Sequence, residues 1–213
     1  MTAILACGGA LSAAFLRKTI QEYKDAMLFA VDGGLTVVHE AGLVPAYLVG
    51  DFDTVEGCLV EQYAPQCEVL RHKPEKDATD TELAIDAAME LGAEEIVLLG
   101  ATGSRMDHTL ANVHMLFHVM KRGGRACILD ENNRMTLHET SFAVSKDKMF
   151  GNYVSFLPFF GEVKDVYLSG LKYPLSGQIL TAGSSLGISN EAVNEQIEVS
   201  FTQGYLLMIE ARD

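Results

Sequence analysis

The sequence predicts an α/β domain built on a mostly parallel sheet, followed by a smaller all-β domain. In the first part of the chain short apolar runs alternate with amphipathic helical stretches, and several runs end at a glycine. In the second part short alternating or β-branched runs are separated by glycines. We therefore expect a Rossmann-like sheet with helices on both faces over 1–131, and a β-sandwich or jelly roll over 132–213.

The apolar runs of the first domain predict its strands, at 3–7, 27–31, 46–49, 68–70, 95–100 and 125–130. Helical patterns lie between them, at 11–23, 35–41, 55–63, 79–91 and 106–121. Ser12 is expected to cap the first helix, and Thr79 and Glu82 form a capping box at the fourth, whose apolar stripe ends at Leu91. Strands of the second domain are expected near 134–138, 141–145, 152–157, 163–168, 178–181, 196–201 and 205–209.

The net charge argues against some classes of binding partner, and the cysteine content indicates the compartment. With 29 acidic and 16 basic residues the net charge is -13, so nucleic acid and anionic membrane surfaces would be repelled. No apolar run approaches the roughly 18 residues of a membrane span. The four cysteines are widely spaced and form no C-x-x-C pair, which favours reduced thiols and a cytoplasmic protein.

Two carboxylates, Asp51 and Asp53, follow the apolar run at 46–49 and a glycine. If the backbone stays extended, residues two apart point the same way and lie roughly 6.5 to 7 Å apart. Both could then approach one divalent cation. The alternative is an acidic, solvated turn, because Asp is a common turn residue.

Further polar residues occur where strands end or the following helices begin. They are Asp32, Asp77, Asp80, Arg105 and Asp107. Taken singly, Asp32 could be only a turn former and Asp80 only an acid favoured at a helix start. In open parallel sheets, however, this edge is where ligands bind. Clustered carboxylates without a Cys/His set favour a hard cation such as Mg²⁺, which commonly binds together with phosphates. The pattern therefore indicates magnesium-dependent phosphoryl or nucleotidyl chemistry.

Two other groups of residues leave alternatives open. The basic stretch Arg71, His72, Lys73 and Lys76 is either a solvated loop or a phosphate contact. His114 and His118 are four residues apart on a helix but lack the glutamate of H-E-x-x-H, so a metal site there is not expected.

Five motifs, in this order and spacing, resemble the thiamine pyrophosphokinase family of the bacterial type. They are Asp32-Gly33-Gly34, Gly50-Asp51-Phe52-Asp53-Thr54, the segment from Lys76 to Glu82, the segment from Gly100 to His108, and the segment from Gly187 to Glu191. Thr54 stands where serine is usual and keeps the hydroxyl. The chain has no tryptophan, so an aromatic contact to thiamine must come from another ring, with Tyr173 a candidate.

The resemblance implies transfer of the pyrophosphoryl group of ATP to the hydroxyl of thiamine, giving thiamine diphosphate and AMP. Domain 1–131 would bind ATP and Mg²⁺, and domain 132–213 would bind thiamine. It also implies a homodimer with active sites at the subunit interface. The alternatives are a pyrophosphokinase for another alcohol such as a hydroxymethyl pterin, a non-catalytic nucleotide-binding module, and a phosphohydrolase.

The resemblance also implies roles for individual residues. Metal ligands would be Asp51, Asp53 and Asp80, and the catalytic residues would be Asp107, Arg105 and Asp80. Residues near the nucleotide would be Asp32, Lys76, Asp77 and Arg105, with Lys76 and Arg105 facing phosphates. Asp107 would lie by thiamine and the reacting centre, either accepting the hydroxyl proton or orienting the substrate, and Ser189 and Asn190 would bind the aminopyrimidine. Asn112 either supports this site or is an ordinary helix-face amide.

Overall fold

A computed structural model describes residues 1–52, 57–71 and 78–213 of the chain. The chain forms two compact units, Met1–Glu131 and Asn132–Asp213. Among the residues described, no helix is both long enough and apolar enough to cross a membrane.

The described part of the first unit has strands that pair in parallel. They are β1 (Thr2–Ala6), β2 (Met27–Val31), β3 (Tyr47–Gly50), β4 (Glu68–Arg71), β5 (Glu95–Leu99) and β6 (Arg125–Leu129). Their order is β6-β5-β1-β2-β3-β4. Strands are added on one side of β1 as far as β4 and then on its other side, so the order reverses between β1 and β5. In open α/β sheets such a reversal marks the ligand-binding crevice.

The helices of this unit begin close to where the sequence predicts them. They are α1 (Ala13–Glu22), α2 (Gly34–Glu40), α3 (Gly57–Tyr63), α4 (Asp80–Glu90) and α5 (Met106–Lys121). Ser12 caps α1 by accepting a hydrogen bond from the Phe15 N–H at 3.2 Å. Thr79 caps α4 in the same way from the Glu82 N–H at 3.2 Å. The Ser12 cap is confirmed, and so is the half of the capping box in which Thr79 accepts from the Glu82 N–H.

The central strand β1 is buried on both sides. Ile4 and Leu5 are each 0% exposed, and successive side chains of a strand point to opposite faces, so both faces of the sheet are covered there. Helix α4 packs against β1, β2 and β3 and buries Ile85. The predicted stripe is wrong at Leu91, which is exposed because it lies at the C-cap of α4, past the last packed turn.

The second unit is a β-sandwich. Its strands are β7 (Asn133–His138), β8 (Phe142–Ser145), β9 (Tyr153–Pro158), β10 (Val163–Ser169), β11 (Leu175–Leu180), β12 (Asn190–Glu191), β13 (Gln196–Ser200) and β14 (Leu206–Ala211). Within this unit they form two antiparallel layers, β12-β9-β14-β7 and β11-β10-β13-β8. The predicted fold class is confirmed.

One core joins the two layers of the sandwich, with Phe156 and Met208 from one layer and Val166 and Val199 from the other. Strand β12 was not predicted, because a two-residue strand is too short to show an alternating pattern. It nevertheless carries the Asn190 motif residue, and it pairs with the beginning of β9, Asn190 opposite Val154.

A buried ion pair lies in the same unit. Glu210 is 0% exposed, and both its oxygens accept hydrogen bonds from Arg134, from Nε at 2.5 Å and from Nη2 at 2.7 Å. The Phe150 N–H donates to the same carboxylate at 3.0 Å. These bonds satisfy a charge that would otherwise be costly to bury.

Candidate active site

The loops that follow β1 and β5 lock together at the carboxyl edge of the sheet. The Gly9 N–H donates to the Gly100 carbonyl at 2.8 Å, and the Ala10 N–H donates to the Thr102 carbonyl at 2.7 Å. A Cβ on Gly9 would lie 2.3 Å from the Thr102 carbonyl oxygen, so only glycine permits this approach. These two N–H groups hold the neighbouring loop, and this close approach explains the glycine at position 9.

Two side-chain hydrogen bonds hold the loop after β5 in place. Asn112, on α5, is buried and donates from Nδ2 to the Ala101 carbonyl at 2.8 Å. Thr102 donates from its hydroxyl to Asp130 at 3.0 Å. Asn112 therefore supports the loop after β5 and is not an ordinary exposed helix-face amide. Asp130 was missed, although its position directly after β6 follows the same rule as the other edge acids.

Asp32 and the end of β3 lie side by side. The Asp32 N–H donates to the Val49 carbonyl at 2.8 Å, which continues the pairing of β2 and β3. Gly50 has φ 149°, and a Cβ there would lie 3.3 Å from the Asp32 Cα. Asp51, the next residue, is half-buried. The structure thus places the Asp32 backbone against Gly50, with Asp51 one residue further along the chain.

The extended geometry expected for Asp51 to Asp53 fails at the residue between them. Phe52 has φ 62°, the left-handed region, so the chain turns immediately after Asp51. A non-glycine residue in that region costs roughly 1–2 kcal/mol. The ring is 8% exposed, and burying a side chain of this size contributes about 1.5–3 kcal/mol. Burial of this size offsets a strain of this size, and the extended backbone expected from strand alternation was wrong here.

Helix α4 brings its first turn to the end of β1. The Thr81 hydroxyl donates to the Cys7 sulfur at 3.8 Å, so Asp80, one residue earlier, starts the helix at this edge. Burial raises the pKa of the Cys7 thiol to about 12. A protonated thiol is a poor metal ligand, so Cys7 is not counted among the predicted metal ligands.

Arg105 and Asp107 form an exposed pair at the start of α5. Arg105 donates from Nε to Oδ1 at 3.3 Å and from Nη2 to Oδ2 at 2.7 Å. The hydrogen bond from Arg105 lowers the pKa of the Asp107 carboxyl to about 2. The same contact with Asp107 raises the pKa of the guanidinium. The carboxylate is therefore ionised at neutral pH and, while paired, a weak proton acceptor.

Three of the predicted site residues, Asp53, Lys76 and Asp77, lie outside the described residues. Over 1–52, 57–71 and 78–213, no three His, Cys, Asp or Glu side chains form a group that could hold a metal ion. The predicted ligand set includes Asp53, so it stays a prediction. The pair His114 and His118 was not expected to bind metal; His118 contacts Asp86 of α4 through Nε2 at 2.7 Å.

In the sandwich, the Asn190 side chain holds a neighbouring turn. Its Oδ1 accepts from the Tyr173 N–H at 2.9 Å and the Glu191 N–H at 3.0 Å, and its Nδ2 donates to the Tyr173 carbonyl at 2.7 Å. Asn190 is 2% exposed. The motif resemblance assigned the Asn190 amide to the substrate. Its contacts with the Tyr173 backbone were not predicted, since no local pattern links positions 173 and 190.

Ser189 and the residues around the turn at Tyr173 are more exposed than Asn190. Ser189 is exposed with φ 55°, and its N–H donates to the Ser155 hydroxyl at 3.0 Å. Tyr173 is 58% exposed. Lys172 pairs with Glu191 at 2.6 Å and lies with its ammonium 5.6 Å from the Tyr173 ring centroid. An aromatic ring, a hydroxyl and a charged pair therefore surround a turn that Asn190 fixes.

The first unit has the features of a nucleotide-dependent transferase: a parallel sheet with a crossover reversal, carboxylates at its carboxyl edge, and a helix start carrying an arginine beside an acid. The family model of the thiamin pyrophosphokinase catalytic domain matches residues 20–128. The family model of the thiamin pyrophosphokinase vitamin B1 binding domain matches residues 139–206. The chain belongs to the thiamin pyrophosphokinase family, as its five motifs predicted.

Individual relatives agree with this membership. Thiamine pyrophosphokinase of Bacillus subtilis is 35% identical over 187 residues, which are 86% of this chain and 86% of that protein. The crystal structure of the Bacillus subtilis protein superposes with a TM-score of 0.88 at 32% identity, covering all of both chains. Thiamin pyrophosphokinase from Geobacillus thermodenitrificans gives a TM-score of 0.85 at 34% identity, covering 100% of this chain and 98% of that one.

Proposed function

We propose that this protein transfers the pyrophosphoryl group of ATP to the hydroxyl of thiamine and releases thiamine diphosphate and AMP. One observation carries the proposal: the catalytic domain over 20–128 and the vitamin B1 binding domain over 139–206 are both matched, in that order. A pterin pyrophosphokinase, a phosphohydrolase or a bare nucleotide-binding module would have no use for a vitamin B1 binding domain.

In this reaction the thiamine hydroxyl oxygen attacks the β-phosphorus of ATP. The bond between that phosphorus and the oxygen bridging to the α-phosphorus breaks, and the bridging oxygen leaves with AMP. The hydroxyl proton passes to a carboxylate or to solvent. Phosphoryl transfer of this kind needs little covalent help, so in-line positioning and charge neutralisation by the protein should dominate.

We assign ATP and Mg²⁺ to the first unit, with Asp51, Asp53 and Asp80 holding the ion. Asp32 and Asp51 follow the neighbouring strands β2 and β3, and Gly50 lies against the Asp32 backbone; carboxylate oxygens of this kind are the ligands that a hard cation prefers. When bound, Mg²⁺ would neutralise charge on the phosphates and on the leaving oxygen. Asp32 and Asp77 would lie beside the nucleotide or the metal.

Arg105 and Lys76 are proposed to contact the phosphates. Arg105 is exposed and sits at the start of α5, where a phosphate is also favoured by the helix dipole. To bind a phosphate, Arg105 must give up part of its two-point contact with Asp107. A guanidinium suits this exchange because its fork matches carboxylate and phosphate equally well.

Asp107 is proposed to face thiamine. With its pKa held at about 2, the paired carboxylate favours orienting the cationic substrate over accepting its proton. If Arg105 turns to the phosphates, the largest cause of that low pKa is removed and Asp107 becomes a better base. Both roles therefore follow from one contact.

The aminopyrimidine of thiamine is assigned to the second unit, to Ser189 and Asn190. Ser189 offers an exposed hydroxyl. The Asn190 amide is largely engaged with the Tyr173 backbone, so its contribution to binding would include fixing Tyr173. The exposed Tyr173 ring is the proposed aromatic contact.

The outer face of the layer β12-β9-β14-β7 supports a homodimer. Ile209 lies opposite Met135, and Leu207 lies opposite Leu157, on the side facing away from the sandwich core. Ile209, Met135 and Leu157 are half-buried, and an apolar surface of this kind is typical of subunit interfaces. We propose that two copies associate and that the active sites lie between them.

The proposed compartment is the cytoplasm. None of the four cysteines is joined in a disulfide, as expected for a reducing environment.

The test incubates purified protein with ATP, MgCl₂ and thiamine and separates the products by anion-exchange chromatography. We expect AMP and thiamine diphosphate in equal amounts. ADP with thiamine monophosphate would contradict the proposal, and phosphate released without thiamine would indicate a phosphohydrolase. Sedimentation velocity on the same sample measures the subunit number.

A further inference from the structure

Two residues with positive φ follow the ends of neighbouring strands, Asp32 (φ 45°) after β2 and Phe52 (φ 62°) after β3. Asp tolerates the left-handed region comparatively well, because its short polar side chain can bond locally. A large aromatic residue there is a genuine outlier. Such a conformation persists only where the surrounding structure determines it.

The surroundings of Phe52 supply that constraint. Its ring is buried, and the Arg71 guanidinium carbon lies 5.7 Å from the ring centroid. Arg71 is itself the partner of Gly50 in the pairing of β3 with β4. On the other side, Gly50 contacts the Asp32 backbone so closely that a Cβ would lie 3.3 Å from Cα. The turn from Gly50 to Phe52 is therefore held at both ends, with Asp51 between them.

We propose that Phe52 is a positioning residue whose buried ring holds the left-handed turn that keeps Asp51 at the sheet edge beside Asp32, ready for the cation that accompanies ATP. This inference rests on the proposed function. Phe52 acts through Asp51, so its loss should weaken the use of metal more than the fold.

Three substitutions separate the ring from the backbone conformation. Phe52→Leu keeps a large buried side chain. Phe52→Ala removes the ring but keeps the steric penalty of the left-handed region, so the turn should relax. Phe52→Gly also removes the ring, but glycine adopts positive φ without that penalty, so part of the turn should survive.

The measurement is the dissociation constant of α,β-methylene-ATP by titration calorimetry, once with Mn²⁺ and once with EDTA. The ratio is the dissociation constant in EDTA divided by the dissociation constant with Mn²⁺, and it measures how much the metal strengthens nucleotide binding. We expect this ratio to fall about tenfold in Phe52→Ala, which is about 1.4 kcal/mol, about threefold in Phe52→Gly, and less than twofold in Phe52→Leu.

The order of the glycine and alanine variants distinguishes positioning from simple packing. If Phe52 only fills space, glycine should be no better than alanine, because both lose the ring and glycine is the more flexible. Thermal unfolding followed by circular dichroism reports the fold of each variant. Phe201, a similarly buried ring in the second unit at 9% exposure, supplies the control Phe201→Ala, which should leave the ratio unchanged.

An unchanged ratio in Phe52→Ala, or a ratio in Phe52→Gly that is equal to or lower than that in Phe52→Ala, would overturn the inference. A wild-type protein whose ratio is one would overturn it as well, since no metal would then be used in nucleotide binding. The product assay distinguishes failure of this inference from failure of the proposed function. A wild-type protein that makes AMP and thiamine diphosphate is a pyrophosphokinase whatever the role of Phe52.

Discussion

Replacing Asn190 by alanine should destabilise the protein and weaken thiamine binding together. Alanine removes the acceptor of the Tyr173 and Glu191 N–H groups and the donor to the Tyr173 carbonyl. Each lost hydrogen bond of this kind costs about 1 kcal/mol net. Tyr173 is largely exposed, so water can replace part of the loss. We expect a decrease of about 2–3 kcal/mol in the free energy of unfolding.

The assay is urea unfolding followed by far-ultraviolet circular dichroism, combined with steady-state kinetics for each substrate. KM for thiamine should rise severalfold while KM for ATP stays near its wild-type value, because the turn at Tyr173 belongs to the second unit. Ser189→Ala is the matched control for stability, since the contact of Ser189 with Ser155 runs through the backbone N–H that alanine keeps.

Two results would refute this reasoning. An Asn190→Ala protein within about 0.5 kcal/mol of the wild type would mean that the amide does not hold the turn. A less stable protein with an unchanged KM for thiamine would mean that the turn has no part in binding the substrate.

Three further predictions concern the charged groups. In Arg105→Met the pKa of Asp107 should rise from about 2 towards the ordinary value of an aspartate, because its main hydrogen-bond donor is gone; carboxyl NMR titration measures this, and a pKa still near 2 would be inconsistent with the pairing. Since the folded pKa is the lower one, the wild-type pair stabilises the fold above about pH 4 and loses this effect as the pH falls towards 2. Arg134→Met should cost about 3 kcal/mol in urea unfolding, because it leaves the buried Glu210 carboxylate without its cation, and a cost below 1 kcal/mol would mean that Glu210 is otherwise satisfied. Asp80→Ala should nearly abolish turnover with an unchanged circular dichroism spectrum, whereas activity above about a tenth of the wild type would argue against Asp80 as a ligand.

Much of the fold was predictable because its signals are local. The buried strand β1 appears as a continuous apolar run, and Thr79 and Glu82 mark the start of α4 within four residues. The short strand β12 gave no such signal. It exists because Asn190 and Glu191 meet the beginning of β9, more than thirty residues earlier in the chain.

The candidate site divides in the same way. Acids following apolar runs identified the sheet edge, and the structure places Asp32 and Gly50 in contact there. The turn at Phe52 contradicted the extended backbone expected between Asp51 and Asp53. A left-handed turn at a buried ring depends on packing with distant segments, which local alternation does not report. The roles assigned to Asp51 and Asp80 as metal ligands stay predictions.

The sequence by itself determined the two fold classes, the helix caps, the acidic edge and the family, since each depends on residue type and spacing along the chain. Only the tertiary structure decided which groups meet: Asn190 with the Tyr173 backbone, Thr81 with Cys7, and the Phe52 ring with Arg71. The physical reason is that periodicity and capping act between near neighbours. Hydrogen bonds across a domain, and the burial that sustains a strained backbone, depend on which distant segments pack together.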